Sequence, residues 1–294
     1  MRILYIASDT NLFFDQIGGA GTHIRATIEY LEKHHDVIRA IGGDLLNIGG
    51  NDNQSRIIVR KKGWKKLIPS CIKLLYQDFR IIKRNRNVLI KTEELIRAHS
   101  PDVIYERSCY GYSVGLLLSE RYHIPRCMET DVLMFELKKE TTSFLFNRLI
   151  YRILEQKKFT RADVITVQSE YSVKLCKRCW NISHDRVFNK DLGIDLTKIK
   201  MVSDNTILDD LFHVHGKFIV AFVGIFQKYQ RVELLVKAAE LLKDDTDIVF
   251  LVVGSGYEDE ILIEQVQNKG LKNIIFTGKF SPDKIHMVYN RMDI

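Results

Sequence analysis

The feature that most constrains the fold is the regular alternation of short apolar runs with helical runs along the 294-residue chain. Each short run is typical of a buried strand, and the residues after it are apolar at every third or fourth position, as on one face of a helix. The strands predicted in the first part are Arg2–Ala7, Asp36–Ile41, a strand within Pro101–Arg107, Pro125–Met128, Ala162–Val167 and Arg186–Phe188. Strands that alternate with helices pair in parallel, so the sequence predicts an α/β fold with a doubly wound parallel sheet.

The alternation stops after the last of these strands and then begins again. Residues 197–217 show no sustained apolar period and are interpreted as a linker. New strands are predicted at Phe218–Val223, Ile248–Val253 and Asn273–Phe276, and Met292 looks like the onset of another. We therefore expect a first domain over 1–196, a linker over 197–217 and a second domain over 218–294. Doubly wound sheets usually contain about five or six strands, so the second domain is expected to be incomplete.

A glycine-rich turn separates the first strand from the first helix, with the sequence Gly18-Gly19-Ala20-Gly21-Thr22-His23. The first N–H groups of a helix have no partner within the helix, and the helix dipole is positive at that end. Glycines also let the backbone come close to a ligand. The turn therefore suits a phosphate or a carboxylate. The alternative interpretation is a turn whose glycines serve only to adopt a positive φ angle.

The composition excludes several classes of protein. A hydrophobic content of 46% and a charged content of 28% are those of a globular protein. No run of eighteen apolar residues is present, and the apolar start is too short for a secretory leader, since Asp9 interrupts it. Five cysteines without a leader indicate free thiols in a reducing cytosol, and the single Cys176–Cys179 pair is a weak metal or redox signal. We therefore expect a cytoplasmic protein.

One segment makes the chain basic. Arg56 to Lys91 contains twelve Lys or Arg residues and one acid, whereas the whole chain has a net charge of +7, so the remainder is net acidic. Trp64, Leu67, Ile68, Cys71, Leu75 and Phe79 recur in this segment at helical spacing. A basic amphipathic helix with an aromatic anchor is typical of contact with an anionic membrane surface, on the inner face of the membrane for a cytoplasmic protein. A solvated helix face is equally open, and nucleic acid is not expected because no nucleic-acid-binding motif accompanies the charge.

Several motifs, taken in order, are similar to those of the retaining family 4 glycosyltransferases, also called glycosyl transferases group 1. The matching motifs are Gly18–Arg25, Pro101–Arg107, Pro125–Glu129, Gly193–Asp195, Phe222–Gly224, Leu235–Leu242, Val252–Gly256 and Phe276–Gly278. The resemblance implies the GT-B fold, in which two Rossmann-like domains face a cleft. It also implies transfer of a hexosyl unit from a nucleoside-diphosphate sugar to an acceptor hydroxyl with retention. The expected setting is cell-surface polysaccharide or glycoconjugate synthesis on a lipid-linked or glycan acceptor, with no bound metal or other cofactor.

The resemblance also assigns candidate site residues. The donor would be bound by six glycines and two cations, namely Gly18, Gly19, Gly21, Gly224, Gly254, Gly256, Lys228 and Arg231. The cations would neutralise the leaving diphosphate. The candidate catalytic residues on the acceptor side are Glu106, Arg107 and Glu129. An alternative for Glu106 and Arg107 is a plain ion pair at a strand end.

Departures from the family pattern keep two other functions open. Ile225 stands where the family has an arginine, Gln230-Arg231 stands where it has Lys-Gly, and its later glutamate pair would lie beyond Ile294. One alternative is therefore a truncated or degenerate, non-catalytic chain that binds a sugar nucleotide and needs a partner. A weaker alternative is an NAD-dependent oxidoreductase, since Gly19 and Gly21 begin a dinucleotide fingerprint with Asp44 near the expected distance, although Ile24 occupies the third glycine position.

Overall fold

The structure, a computed structural model, describes residues 1–16, 18–46, 69–130, 145–190, 193, 201, 206–226, 230–256, 259–281 and 284–294. Three features predicted from the sequence lie outside these ranges: Lys228, the basic residues before Pro69, and Ile194-Asp195. The chain divides into two compact units, Met1–Leu192 and Gly193–Ile294.

The first unit is built on a sheet of six parallel strands in the order β2-β1-β3-β4-β5-β6. These strands are β1 (Arg2–Ala7), β2 (Asp36–Ile41), β3 (Val103–Arg107), β4 (Arg126–Thr130), β5 (Val164–Val167) and β6 (Val187–Asn189). The first two have the bounds predicted from the sequence. Because all neighbouring strands run in the same direction, their carboxyl ends lie at one edge of the sheet.

Helices cover both faces of this sheet. They are α1 (Gly19–Glu32), α2 (Gly42–Leu45), α3 (Ser70–His99), α4 (Val114–Tyr122), α5 (Leu145–Thr160) and α6 (Glu170–Trp180). Side chains alternate between the faces along β1: Tyr5 and Ala7 pack with α1, whereas Leu4 and Ile6 pack with α3 and α4. A sheet buried on both sides in this way is the doubly wound arrangement that the alternation predicts.

Residues 70–91 of the basic segment lie in one long helix. Apolar residues at helical spacing predict a helix as far as Phe79, but α3 continues to His99 and ends at Ser100, which has a left-handed φ of 46°. Its second half enters the core through Val88 and Ile96. No helix in the described ranges is both long enough and apolar enough to cross a bilayer.

The second unit contains a three-stranded parallel sheet in the order β7-β8-β9. Its elements are α7 (Thr206–Phe212), β7 (Phe218–Phe226), α8 (Glu233–Leu241), β8 (Ile248–Gly256), α9 (Asp259–Asn268), β9 (Ile274–Gly278) and α10 (Ile285–Arg291). Residues 292–294 form no strand. Asp293 and Ile294 nevertheless exchange backbone hydrogen bonds with Ile219 and Ala221, so they lie along the free edge of β7.

Part of the predicted linker, residues 206–217, is folded in the structure. This stretch forms α7 and the turn after it, and its Leu208 and Val214 are buried with Ile219 and Val288 in a core cluster of the second unit. The helix is only seven residues long and buries few side chains, so its apolar period is too brief to be recognised in the sequence.

Candidate functional site

The glycine-rich turn forms the start of α1. Gly18 precedes the helix with a φ of 126°, a conformation that side chains with a Cβ rarely adopt, and its carbonyl accepts the N–H of Thr22 at 2.9 Å. No side chain caps this helix end. The first N–H groups of α1 therefore have neither an acceptor within the helix nor a side-chain cap, as an anion site requires.

The three glycines of the turn have different reasons to lack a side chain. A Cβ on Gly21 would lie 2.0 Å from the carbonyl oxygen of Gln16, so the chain itself excludes it. A Cβ on Gly19 would meet no atom within 4 Å, and the φ angle there is not positive. The backbone angle requires glycine at position 18, and close packing requires it at position 21. At position 19 neither reason applies, and the approach of a ligand is the remaining reason for glycine.

Arg25 fixes the loop that leads into the turn. Its Nη1 donates to the carbonyl oxygens of Phe14 and Gln16, both at 2.8 Å. Because Arg25 lies within α1, these bonds tie the loop to the helix that it precedes. The turn is therefore held in one geometry before any ligand binds.

A polar cluster lies at the carboxyl edge of the first sheet, around Glu129 at the end of β4. Nε2 of His23 donates to Glu129 Oε1, and the hydroxyl of Tyr105 donates to Oε2 at 2.7 Å. Lys190 Nζ lies 3.5 Å from Oε2 and donates to the Tyr105 hydroxyl at 3.0 Å. Arg107 Nη1 is 4.0 Å from Oε1, since Arg107 and Glu129 are partners in the register of β3 and β4. The Glu129 carboxylate is thus surrounded by donors.

These donors decide the charge of Glu129. Burial alone would raise its pKa, but the hydrogen bond from His23, the charges of Lys190 and His23 and the hydrogen bond from Tyr105 outweigh burial and lower the pKa to about 2. The side chain of Glu129 is only 2% exposed, whereas that of His23 is 18% exposed and that of Lys190 is 39% exposed. An ionised, buried carboxylate therefore holds side chains that reach the surface.

Glu106 does not belong to this cluster. Neighbouring residues of a strand point to opposite faces, and the Glu106 carboxylate lies on the other side of the sheet from Glu129. There it accepts Arg126 Nη1 at 2.6 Å and the N–H of Gly115, at the start of α4, at 3.2 Å. The prediction that groups Glu106 with Arg107 and Glu129 is not supported by this geometry. A Glu106–Arg107 ion pair is not formed either, because each residue pairs with a different partner.

The arginine that holds Glu106 is part of a buried ion network. Arg126 Nη2 donates to the carbonyl oxygen of Lys158 at 2.5 Å. Lys158 Nζ in turn donates to Glu155 Oε1 at 3.0 Å and to the Cys109 carbonyl oxygen at 2.9 Å. Buried charges of this kind must be paired, and pairing accounts for Glu106 without any contact to a substrate.

In the second unit, the predicted donor glycines lie at the carboxyl ends of β7 and β8. A Cβ on Gly254 would lie 1.8 Å from the Gly224 carbonyl oxygen, and one on Gly256 would lie 2.3 Å from that of Phe226. These pairs face each other in the strand register, and β8 continues to Gly256 instead of turning after Val253. The close approach of the two strands is therefore a sufficient reason for glycine at 254 and 256.

The cation candidates of the second unit lie near these glycines in the sequence. Arg231 is exposed, has a φ of 56°, and its Nε donates to Glu233 Oε1 at 2.6 Å. Ile225, which stands where the family has an arginine, is half exposed at the end of β7. The contacts of Lys228 lie outside the described ranges.

The acidic residue that would recognise a dinucleotide ribose has another role in this structure. Oδ2 of Asp44 accepts the N–H of Phe14 at 2.9 Å. Burial and the charge of Asp15 raise the pKa of Asp44, and the bond from Phe14 partly offsets that rise. Asp44 therefore fixes the loop before the glycine turn, which weakens the oxidoreductase interpretation.

Three members of the Glu129 cluster are missing from the predicted set: His23, Tyr105 and Lys190. His23 was recognised only as part of the glycine turn. Tyr105 is in the same predicted strand as Arg107, two residues earlier, so strand alternation places both on one face and offered a signal for it. Lys190 is 85 residues from Tyr105, and nothing in the sequence pattern joins them.

The chain contains two units with parallel sheets and flanking helices, and its α/β fold matches that of GT-B glycosyltransferase structures. Residues 203–294 match the family described as Glycosyl transferases group 1. This part of the chain is therefore similar to the group 1 glycosyl transferases.

Comparisons with individual proteins agree with this class. The uncharacterized glycosyltransferase MJ1069 of Methanocaldococcus jannaschii is 28% identical over 164 residues, which are 53% of this chain and 38% of that protein. Anabaena HepE, solved with UDP and glucose, matches 100% of this chain and 72% of its own, with a TM-score of 0.64 and 16% identity. A sucrose-phosphate synthase from Thermosynechococcus elongatus matches 99% of this chain and 74% of its own, with a TM-score of 0.72 and 17% identity. At these identities the two structures establish the fold.

Proposed function

We propose that the chain is a retaining family 4 glycosyltransferase that moves a hexosyl unit from a nucleoside-diphosphate sugar to an acceptor hydroxyl. The observation that carries the proposal is the match of residues 203–294 to the group 1 glycosyl transferases. Support comes from HepE, which shares the fold and was solved with UDP-glucose. The acceptor is a growing glycan or a lipid-linked sugar in cell-surface polysaccharide or glycoconjugate synthesis.

The first unit contributes an anion site for the donor diphosphate. The N-terminal N–H groups of α1 and the open space beside Gly19 suit a phosphate oxygen, and Gly18 and Gly21 hold the turn in shape. Within the second unit, the proposed nucleotide-sugar residues are Gly224, Gly254 and Gly256, with Lys228 and Arg231 as cations suited to a diphosphate.

The Glu129 cluster is the proposed catalytic centre of the first unit. Glu129 is ionised and its oxygens already accept hydrogen bonds, so it serves to orient its partners and not to accept a substrate proton. His23 is held through Nε2 and is partly exposed, so it is the group that contacts a sugar hydroxyl. Arg107 and Lys190 supply positive charge beside it.

A ligand series tests the proposal. UDP- or GDP-sugars should raise the melting temperature of the full chain and NAD should not, because a ligand that binds only the folded state stabilises it more as its concentration exceeds its Kd. Release of the nucleoside diphosphate in the presence of a glycan acceptor measures the transfer. Stabilisation by NAD alone would contradict the proposal and favour an oxidoreductase.

A second candidate is a non-catalytic chain that binds a sugar nucleotide. It is favoured by Ile225, an apolar side chain where the family has an arginine, and by the pairing of Arg231 with Glu233. The same series separates the two functions, since this candidate predicts stabilisation by the sugar nucleotide without any release of nucleoside diphosphate.

A further inference from the structure

Residues 70–92 of α3 have a buried inner face and, opposite it, an outer face that is apolar although it is exposed. Its inner face is buried at Asp78, Val88 and Thr92. The outer face carries Ile72, Tyr76, Phe79 and Ile90, which follow one another at helical spacing and are 46–65% exposed. Leu75 and Ile82 flank this stripe and are exposed to a similar extent. A helix of a globular domain normally has a polar outer face, so this stripe requires a partner.

The neighbouring helix α5 has the same character. The two helices meet where the Tyr151 hydroxyl donates to Asp78 Oδ1 at 3.1 Å in a buried contact. On the side of α5 away from Tyr151, Leu149, Ile150 and Ile153 are 48–59% exposed. The two outer faces together form what we call the α3/α5 surface.

The exposed charge of this surface has one sign. The acids of the α3 residues 70–92 and of α5 are Asp78 and Glu155, and both are buried, Asp78 against Tyr151 and Glu155 against Lys158. The exposed charges on the same stretches are all basic, namely Arg80, Lys83, Arg86, Lys91, Arg152 and Lys157, and the first exposed acid beyond them, Glu94, lies one turn after Ile90 and pairs with Lys91 at 3.6 Å. Lys83 and Arg86 lie on the apolar stripe itself, between Phe79 and Ile90.

We propose that the α3/α5 surface binds an anionic lipid bilayer, with both helices lying in the plane of the headgroups. Large apolar side chains that enter the acyl boundary, flanked by cations that meet lipid phosphates, are what such binding requires. The sequence prediction placed membrane contact on Arg56–Lys91. The proposal instead uses the part of that segment within α3 and adds α5, which the prediction did not include. It does not depend on the proposed transferase activity.

Charge complementarity selects this occupant over the others. A second copy of the chain would set one row of cations against another, which is unfavourable. A nucleic acid would neutralise the cations but would leave Ile72, Phe79 and Ile153 exposed to water. A bilayer with anionic lipids satisfies both the apolar and the basic side chains.

Flotation of the full chain with vesicles tests the proposal. We expect the protein to float with vesicles of phosphatidylcholine and phosphatidylglycerol, to bind phosphatidylcholine alone much more weakly, and to be released at high salt. The Lys83→Gln/Arg86→Gln variant should bind the anionic vesicles about 25-fold more weakly, since each cation near such a surface contributes about a fivefold factor. Phe79→Ser and Ile153→Ser should each weaken binding about tenfold.

Matched controls use exposed aromatic residues elsewhere on the first unit. Tyr30→Ser on α1 and Tyr171→Ser on α6 remove side chains that are as exposed as Phe79, and they should float like the parent. Near-UV circular dichroism and melting temperature check that each variant is folded. If Phe79→Ser proves unfolded, the Lys83→Gln/Arg86→Gln variant still tests membrane binding, because it changes only exposed charges.

Four results would overturn the proposal. The parent protein could remain at the bottom of the gradient with anionic vesicles, or it could bind neutral and anionic vesicles equally. The α3 and α5 variants could float as well as the parent. Finally, sedimentation could reveal a dimer that Phe79→Ser and Ile153→Ser dissociate, which would assign the surface to a second copy of the chain.

Discussion

At the scale of single residues, the central feature is a carboxylate that is charged because of its neighbours. Glu129 is buried, and its two oxygens accept hydrogen bonds from His23 and Tyr105 while Lys190 and Arg107 lie close by. Removing the carboxylate would leave these cations beside each other without a counter-charge. In the proposed function Glu129 is therefore a positioning residue, and we expect it to act through His23.

Substitution at His23 tests this division of roles. His23→Gln removes the group proposed to contact the sugar, and kcat/KM should fall about 10- to 100-fold, as expected for the loss of one hydrogen bond to a charged or reacting group. Glu129→Gln should lower kcat/KM by a similar factor, and the double variant should be little worse than either single one, because coupled residues are not additive. Fully additive losses in steady-state kinetics would show that the two residues act separately.

The lowered pKa of Glu129 predicts a pH dependence of stability. A carboxyl whose folded pKa is about 2, against an ordinary value of 4.5, stabilises the fold at pH values above 4.5 and loses that contribution as the pH falls toward 2. In urea unfolding at pH 7, Glu129→Gln should cost about 2–3 kcal/mol. The difference from the parent should narrow steadily as the pH is lowered below 4.5.

An exposed acid provides the control for that experiment. Glu94 pairs with Lys91 at 3.6 Å on the surface of α3, and such pairs contribute about 0–1 kcal/mol. Glu94→Gln should therefore leave the unfolding free energy almost unchanged at every pH. A difference between Glu129→Gln and the parent that does not vary with pH would mean that Glu129 is not ionised by its surroundings.

Only part of this site could be predicted from the sequence, for a geometric reason. Glu129 and Arg107 were predicted from the family resemblance, and they lie at the carboxyl ends of neighbouring parallel strands. Glu106 was grouped with them although one step along a strand reverses the direction of a side chain. His23 is 106 residues from Glu129, and a contact over such a distance depends on strand order, which local patterns do not specify.

At the scale of elements, the pairing of β7 with β8 depends on glycine. Gly254 combines a φ of 131° with a backbone so close that a Cβ would clash with the Gly224 carbonyl oxygen. Gly254→Ala should destabilise the second unit by about 3 kcal/mol or more, because both the backbone angle and the strand spacing oppose it. Thermal unfolding followed by circular dichroism measures the change.

Gly270 is the matched control for Gly254. It also has a positive φ, of 61°, but a Cβ there would meet nothing within 4 Å. Gly270→Ala should lower the free energy of unfolding by only about 1 kcal/mol. The difference between the two variants then measures the clash between the added Cβ and the neighbouring strand. Equal costs would imply that β7 and β8 can move apart without penalty.

The elements were predicted best where the apolar pattern was long or strictly periodic. The bounds of β1 and β2 and the buried positions Ile24 and Ile28 of α1 follow from local periodicity alone. The stretch 206–217 was missed because α7 is short, and the length of α3 was underestimated because polar residues interrupt its apolar pattern after Phe79.

At the scale of the whole molecule, each unit has its own core. The buried clusters around Leu4, Tyr5 and Met128 involve only residues of the first unit, and those around Phe226 and Leu251 only residues of the second. A fragment of residues 1–192 should therefore unfold cooperatively by itself, as a domain with its own core does. A broad thermal transition without a folded baseline would count against this.

The place of β1 in its sheet has a consequence for biosynthesis. β1 lies between β2 and β3, and its first residue bonds to Asp102, 100 positions away. A ribosome must therefore release well over a hundred residues before the opening strand acquires both neighbours, and closing so long a loop is slow. Until then Leu4 and Ile6, which pack with α3 and α4, stay uncovered, so the nascent protein should depend on chaperones that bind apolar segments near the amino terminus.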